Sequence, residues 1–285
     1  MRIFKLNQTY RNIKRYRQVI AVFVKYGFGD ILDKLRLEFH IKLGRKIHRK
    51  ALPEKMVYTS SAERMRRAFE ELSGTFVKLG QMLSVRPDLI PPDFVAEFSK
   101  LQDAVPPFPF EQAQALIESQ LSRPLEELFD DFLKTPLAAA SIAQVHRAKT
   151  KSGHDVAVKI QRPGISDLIE TDLHILFDLA QLIERRIPEG QLYNPVGIVD
   201  EFAQTIRREL DFIREGRNMD KFRQNFEGND TIYVPKVYWE LTTSQILTME
   251  YIDGIKLKDL EKLEAAGLDK RIIAINGAKA ILQQI

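Results

Sequence analysis

The sequence predicts an α+β fold, in which an antiparallel sheet is surrounded by helices. Three observations predict it. Apolar residues recur at helical spacing through residues 51–135, strand-like segments begin after Pro136, and these strands are joined by short turns, as in hairpins. A chain of 285 residues with 44% hydrophobic and 29% charged residues has enough apolar side chains to pack one large or two modest domains. There are no cysteines, which excludes disulfides, thiolate nucleophiles and cysteine-ligated zinc.

Charge divides the chain before structure does. Residues 1–50 carry 14 Lys or Arg against three acids (Asp30, Asp33 and Glu38), a net of +11; the total of +4 leaves −7 for residues 51–285. Apolar residues interleave with these bases, among them Ile13, Val19, Ile20, Phe23, Ile31 and Leu35, so residues 1–50 read as a basic amphipathic helical leader. Its apolar side can pack on the rest of the protein or lie on an anionic membrane surface. Nucleic acid is not an expected partner, because no nucleic-acid-binding signature accompanies the charge. The longest apolar run near the N-terminus, Val19 to Val24, is far short of the roughly 20 residues that cross a bilayer. The expected location is cytoplasmic and peripheral to a membrane.

Residues 51–135 form a helical extension. Ser60 with Glu63 fits a capping box, Met65, Ala68, Phe69 and Leu72 follow at helical spacing, and Gly74 can end the helix. A second helix is expected from Thr75 to Val85, and a third from Phe110 to Leu121, with proline-marked loops at 86–93 and 105–109. Residues 136–252 bring the strands. Ile142–Ala148 and Asp155–Ile160 flank the turn Lys149–Gly153, and Tyr233–Glu240 and Gln245–Ile252 form a second pair. Helices are predicted over Asp167–Arg186 and Gly197–Arg223, and residues 253–285 begin another helical region.

Three segments carry a possible chemistry. Ala138, Ala139, Ala140 and Ser141 form a loop of small residues, through which backbone N–H groups can approach phosphates. The strand that returns from the hairpin ends Val156-Ala-Val-Lys159, which supplies a cation for the same phosphates. Met249 to Ile252 closes a later strand, where the backbone of Glu250 and Ile252 could meet a base. Each segment alone is common; their order along one chain is informative. On a helical wheel Phe76, Leu79 and Leu83 share one face, while Lys78 and Gln81 point the other way. Within one continuous helix Asp211 and Glu215 would share a face, with Glu209 turned away. The five histidines show no metal-ligand spacing, and His146, on a strand, reads as structural.

With these segments in place the sequence resembles the UbiB/ADCK family of atypical kinases over about residues 15–285. The match is carried by Lys78-Leu-Gly-Gln81 (the K-x-G-Q motif) inside Gly74–Ser84, by the alanine-rich loop Ala138–Ser141, and by Glu209-Leu-Asp211 (the E-x-D motif) followed by Glu215. The resemblance implies a protein-kinase-like N-lobe with a helical K-x-G-Q extension and the start of a helical C-lobe. It implies ATP or ADP with Mg2+ as cofactors. Lys78 and Gln81 would line the nucleotide pocket, Glu215 would pair with Lys159, and Glu209 and Asp211 would meet the Lys78 segment. The implied activity is that of an ATPase or small-molecule kinase supporting ubiquinone or another isoprenoid lipid, with that lipid or its biosynthetic enzymes as partners. A nucleotide-switched scaffold without catalysis and a lipid-binding module are the alternatives.

Two departures from ordinary kinases stand out. A long helix intervenes between Lys159 and Glu215, and alanines replace the glycines of the phosphate loop. Each alanine adds a methyl group and avoids positive φ, which argues against efficient transfer to protein substrates. Only 33 residues follow Ile252, and Asp253, Asp259, Asp269 and Asn276 among them sit in no catalytic-loop or D-F-G-like context. The chain is therefore expected to be truncated before the catalytic loop and its metal ligands, with turnover near background.

Overall fold

The computed structural model describes residues 2–35, 59–102 and 105–284. Residues 36–58, which hold the end of the basic leader and the start of the helical extension, lie outside the described residues. The helices are α1 (Arg2–Lys25), α2 (Gly29–Lys34), α3 (Ser61–Leu72), α4 (Thr75–Ser84), α5 (Pro92–Phe98), α6 (Phe110–Leu121) and α7 (Leu125–Leu128). Strands β1 (Phe129–Phe132), β2 (Ala138–Ala139), β3 (Ala143–Thr150) and β4 (Asp155–Gln161) follow. Then come α8 (Ile165–Arg186), α9 (Pro195–Glu209), α10 (Phe212–Asn225), β5 (Ile246–Glu250), α11 (Leu260–Ala265) and α12 (Lys270–Leu282).

The chain forms two compact units, each assembled from separate stretches. The helical unit comprises residues 1–107, 139–143 and 162–210; the sheet unit comprises 108–138, 144–161 and 211–285. These units follow contacts, whereas the four sequence segments follow composition, and the two divisions cut the chain in different places.

In the helical unit the leader turns its apolar side inward. Val19, Ile20, Val22, Leu32 and Leu35 are buried, and Ile20, Leu32 and Leu35 pack with Leu179, Leu182 and Ile183 of α8. Of the apolar leader residues named above, only Ile13 and Ile31 are well exposed. A buried ion pair ties the same elements. Arg15 donates from Nε and Nη2 to the two oxygens of Asp172 at 2.7 and 3.0 Å, and from Nη2 to the Leu72 carbonyl at 3.0 Å. Asp172 is fully buried and the Arg15 side chain is 12% exposed. Ser60 caps α3 as its sequence requires, accepting from the Glu63 N–H at 3.1 Å. The helix ends earlier than Gly74: Ser73 takes φ 58° and donates to the Phe69 carbonyl, and Gly74 instead starts α4.

In the sheet unit the strand order is β1-β3-β4-β5, with β1 antiparallel to β3 and β4 antiparallel to β5. Alternation along β4 sends Val156, Val158 and Ile160 into a core with Ile117 of α6 and Ile246 of β5. Each such side chain contributes about 1.5–3 kcal/mol by leaving water. His146 is buried on β3. Its Nδ1–H donates to the Leu133 carbonyl, its Nε2 accepts from the Gln144 amide, and burial holds its imidazole below the usual histidine range.

Two expectations are corrected. The helix predicted over Gly197–Arg223 is broken at Leu210–Asp211, because the Asp211 backbone turns extended (φ −97°, ψ 94°) and its side chain accepts from the Arg214 N–H at 3.2 Å. The strand predicted over Tyr233–Glu240 is a single bridge, Val237 to Met249, followed by a 3-10 turn at Trp239–Leu241. Pro235 lacks the N–H that a regular ladder would use there.

Candidate functional site

The alternation that buries Val158 turns Lys159 to the opposite face of β4, in register with Leu247 of β5. Asp211 starts α10 one turn before Glu215, so this carboxylate is presented from the first turn of the helix. Both carboxylate oxygens accept from Lys159 Nζ, each at 2.8 Å. The ammonium also stands 4.7 Å from the ring centre of Phe212, which is fully buried. The pair is half-buried, at 22% and 36% side-chain exposure, so it is reachable by a ligand. Screening by water leaves such a pair little net stability. Its consequence is geometric: a flexible cation is held in one place.

In the helical unit, Lys78 reaches Glu209 at 3.4 Å. Gln81 donates to the Leu101 carbonyl at 3.2 Å. Between them Gly80 is in close contact; a Cβ there would collide with the Leu101 side chain and press on Phe69. Burial of α4 extends beyond the face drawn on the wheel, since Val77 and Gly80 are buried with Phe76 and Leu79, while Lys78 and Gln81 are half-buried. Asp211 is not beside Glu215 on one helix face; its carboxylate is spent on capping α10.

The alanine-rich loop is pinned from within the helical unit. The Ala140 N–H donates to the Ala143 carbonyl at 2.8 Å, and the Arg162 N–H to the Ile142 carbonyl at 2.8 Å. Arg162 Nη2 donates to the carbonyls of Ala140 and Pro106 at 3.2 and 3.0 Å. Burial pulls the Arg162 guanidinium below its ordinary pKa. Among the described residues, non-glycine positive φ occurs only at Ser73, Ser122 and Asn194, so the alanines keep ordinary backbone angles. Ser141 Oγ is buried and has no hydrogen-bond partner.

At the end of β5, the Glu250 carboxylate accepts from the Tyr233 hydroxyl at 2.7 Å on both oxygens, and the Glu250 N–H donates to the Lys236 carbonyl. The Glu250 N–H is therefore already engaged. Ile252 lies beyond the strand and is 47% exposed. The accessible lysine suits a nucleotide's phosphate oxygens. For the implied magnesium, no cluster of three His, Asp or Glu is found among the described residues.

Sequence reasoning missed Phe212, Arg162 and Leu101. Phe212 had a signal, being the apolar residue one turn before Glu215; the two backbone contacts of Arg162 and Leu101 had none.

The ABC1 atypical kinase-like domain matches residues 100–285. Relatives named "Probable protein kinase UbiB" are 39% identical over 278 residues in Aeromonas salmonicida and 39% over 275 residues in Pseudomonas aeruginosa. These alignments cover 97% and 96% of this chain, but 51% and 52% of the relatives. An uncharacterised protein from Synechocystis is 47% identical over 214 residues, 75% of this chain and 37% of that protein. The chain thus spans about half, or less, of the length of these curated relatives. Among the described residues no helix is long and apolar enough to cross a membrane.

Proposed function

Because this chain belongs to the ABC1 atypical kinase-like family, we propose that it binds ATP or ADP, with Lys159 holding the phosphates. The observation that carries this reading is the bidentate grip of Glu215 on Lys159. A preset ammonium meets an anionic oxygen without first losing its own rotamer freedom. Ala157, on the same face of β4 as Lys159, offers a small surface to the base in this reading. The backbone of Glu250 and Ile252 binds the base edge. Lys78, Gln81, Glu209 and Asp211 belong to a regulatory segment, Lys78 and Glu209 as an ion pair and Asp211 through its cap.

A thermal-shift titration tests the binding. ADP or ATP at about 100 times its Kd should stabilise the chain by about 2.7 kcal/mol. Unchanged unfolding at millimolar nucleotide, with or without magnesium, would refute the proposal.

For the complete protein we propose an ATPase or small-molecule kinase that serves ubiquinone or another isoprenoid lipid at a membrane surface. The name UbiB among the relatives supports the pathway, and the net charge of +11 on residues 1–50 supports the surface. Since most of the apolar side of residues 13–35 is committed to the protein's own core, contact with lipid would rest on charge more than insertion. Binding to vesicles rich in phosphatidylserine should then fall by about tenfold between 50 and 300 mM salt. Salt-independent co-sedimentation would contradict that.

A further inference from the structure

Helix α10 carries one stripe of residues, each four positions after the last: Phe212, Gly216 and Asp220. All three meet other elements of the sheet unit, to which α10 itself belongs. The Phe212 N–H donates to the Ser244 carbonyl at 3.2 Å, and its ring is buried beneath Lys159. Gly216 lies where a Cβ would come within 2.9 Å of Cη2 of Trp239 and 3.4 Å of Cδ1 of Leu247. Asp220 accepts from the Trp239 indole Nε1–H at 2.7 Å. A single indole thus spans two successive turns of the helix, its ring edge against Gly216 and its N–H on Asp220.

The backbone that carries Trp239 is firmly held, while its side chain stays 39% exposed. Trp239 starts the 3-10 turn before β5, and that turn is tied to the strand through buried threonines. Thr248 Oγ1 donates to the Leu241 carbonyl at 2.7 Å, the Thr248 N–H donates to Thr242 Oγ1 at 3.1 Å, and Thr242 Oγ1 donates to the Tyr238 carbonyl at 2.8 Å. A helix held only at its N-terminus could swing about that end, and Glu215 would swing with it. The Trp239–Asp220 bond holds the other half.

We propose that Trp239 is a positioning residue: through Gly216 and Asp220 it fixes α10 so that Glu215 stays on Lys159. The effect on nucleotide affinity rests on the reading of Lys159 given above; the effect on the helix does not.

The test uses the full 285-residue chain with ADP as the probe. Asp220→Leu removes the acceptor, Asp220→Asn keeps an oxygen for the indole, and Trp239→Phe keeps a ring but removes the donor. Hydrogen exchange is followed in the peptide spanning Phe212 to Arg217. Asp220→Leu and Trp239→Phe should raise it by about tenfold, while Asp220→Asn should stay close to the parent. Trp239 is the only tryptophan, so its fluorescence should shift in Asp220→Leu and not in Asp220→Asn. ADP affinity should fall about fivefold in Asp220→Leu, and by nothing further when Glu215→Gln is already present. Unchanged exchange in both Asp220→Leu and Trp239→Phe overturns the proposal. So does an equal loss of affinity with and without Glu215→Gln, because the tryptophan would then act other than through Glu215. If the parent binds no ADP, the nucleotide reading falls, and the exchange result alone upholds or overturns the positioning role.

Discussion

Replacing Lys159 with methionine is expected to weaken ADP binding by about a hundredfold, or about 2.7 kcal/mol. Methionine keeps the apolar stem and loses the ammonium. Hydrogen bonds to charged groups contribute about 1.5–3 kcal/mol each, so one or two lost phosphate contacts account for the change. A second effect acts in the same direction. Glu215, deprived of its partner at 2.8 Å, would face the phosphates as an uncompensated anion. Adding Glu215→Gln to Lys159→Met should therefore recover part of the lost affinity. The fold should survive, because both side chains are partly exposed and the pair adds little stability. Calorimetric titration of parent, single and double variants measures this. Affinity within threefold of the parent for Lys159→Met would remove Lys159 from the site.

The largest stability loss is expected in the helical unit. Asp172→Ala should cost about 3–5 kcal/mol, the usual consequence of removing one member of a buried ion pair. The aspartate is fully buried, and its partner Arg15 is only 12% exposed, so water replaces the two lost bonds incompletely. The Leu72 carbonyl and the ring of Phe76, 5.8 Å away, cannot balance a full positive charge. At about 2–4 °C per kcal/mol for a body of this size, the melting temperature should drop by about 10 °C. Replacing both residues with apolar ones of similar volume should recover most of that loss. A drop under 2 °C in Asp172→Ala would show that the pair is open to water in solution.

Much of this was legible in the sequence. The helix Phe110–Leu121 is bounded by prolines and a left-handed serine, and its limits follow from local chemistry. The partnership of Lys159 with Glu215 was implied by the family resemblance, and the structure adds its bidentate geometry. The break at Leu210–Asp211 was not legible. No glycine or proline marks it, and an aspartate within a helical pattern can as well be a surface acid as a cap. That one ambiguity displaced Asp211 from the face assigned to it. Trp239 was also hidden, since its role depends on a glycine and an aspartate on another element, too far away in sequence for any local pattern to connect.

The discontinuous course of the chain has a kinetic side. The partners in the β4–β5 ladder, Ile160 with Ile246 and Val156 with Glu250, are 86 to 94 positions apart. Residues 162–210, most of the intervening chain, belong to the helical unit, where α8 and α9 pack on each other as sequence neighbours. Local helix pairing is fast, whereas joining strands so distant must overcome loop closure first. Once α8 and α9 are paired, the excursion between β4 and α10 is shortened to the two ends of a helical hairpin, and the entropy still to be lost is that of a much smaller loop. The order of assembly is thus written into the connectivity: the helical excursion first, the ladder that aligns Lys159 after it. A variant that slows α8–α9 pairing would then delay the sheet unit without touching a single residue of it.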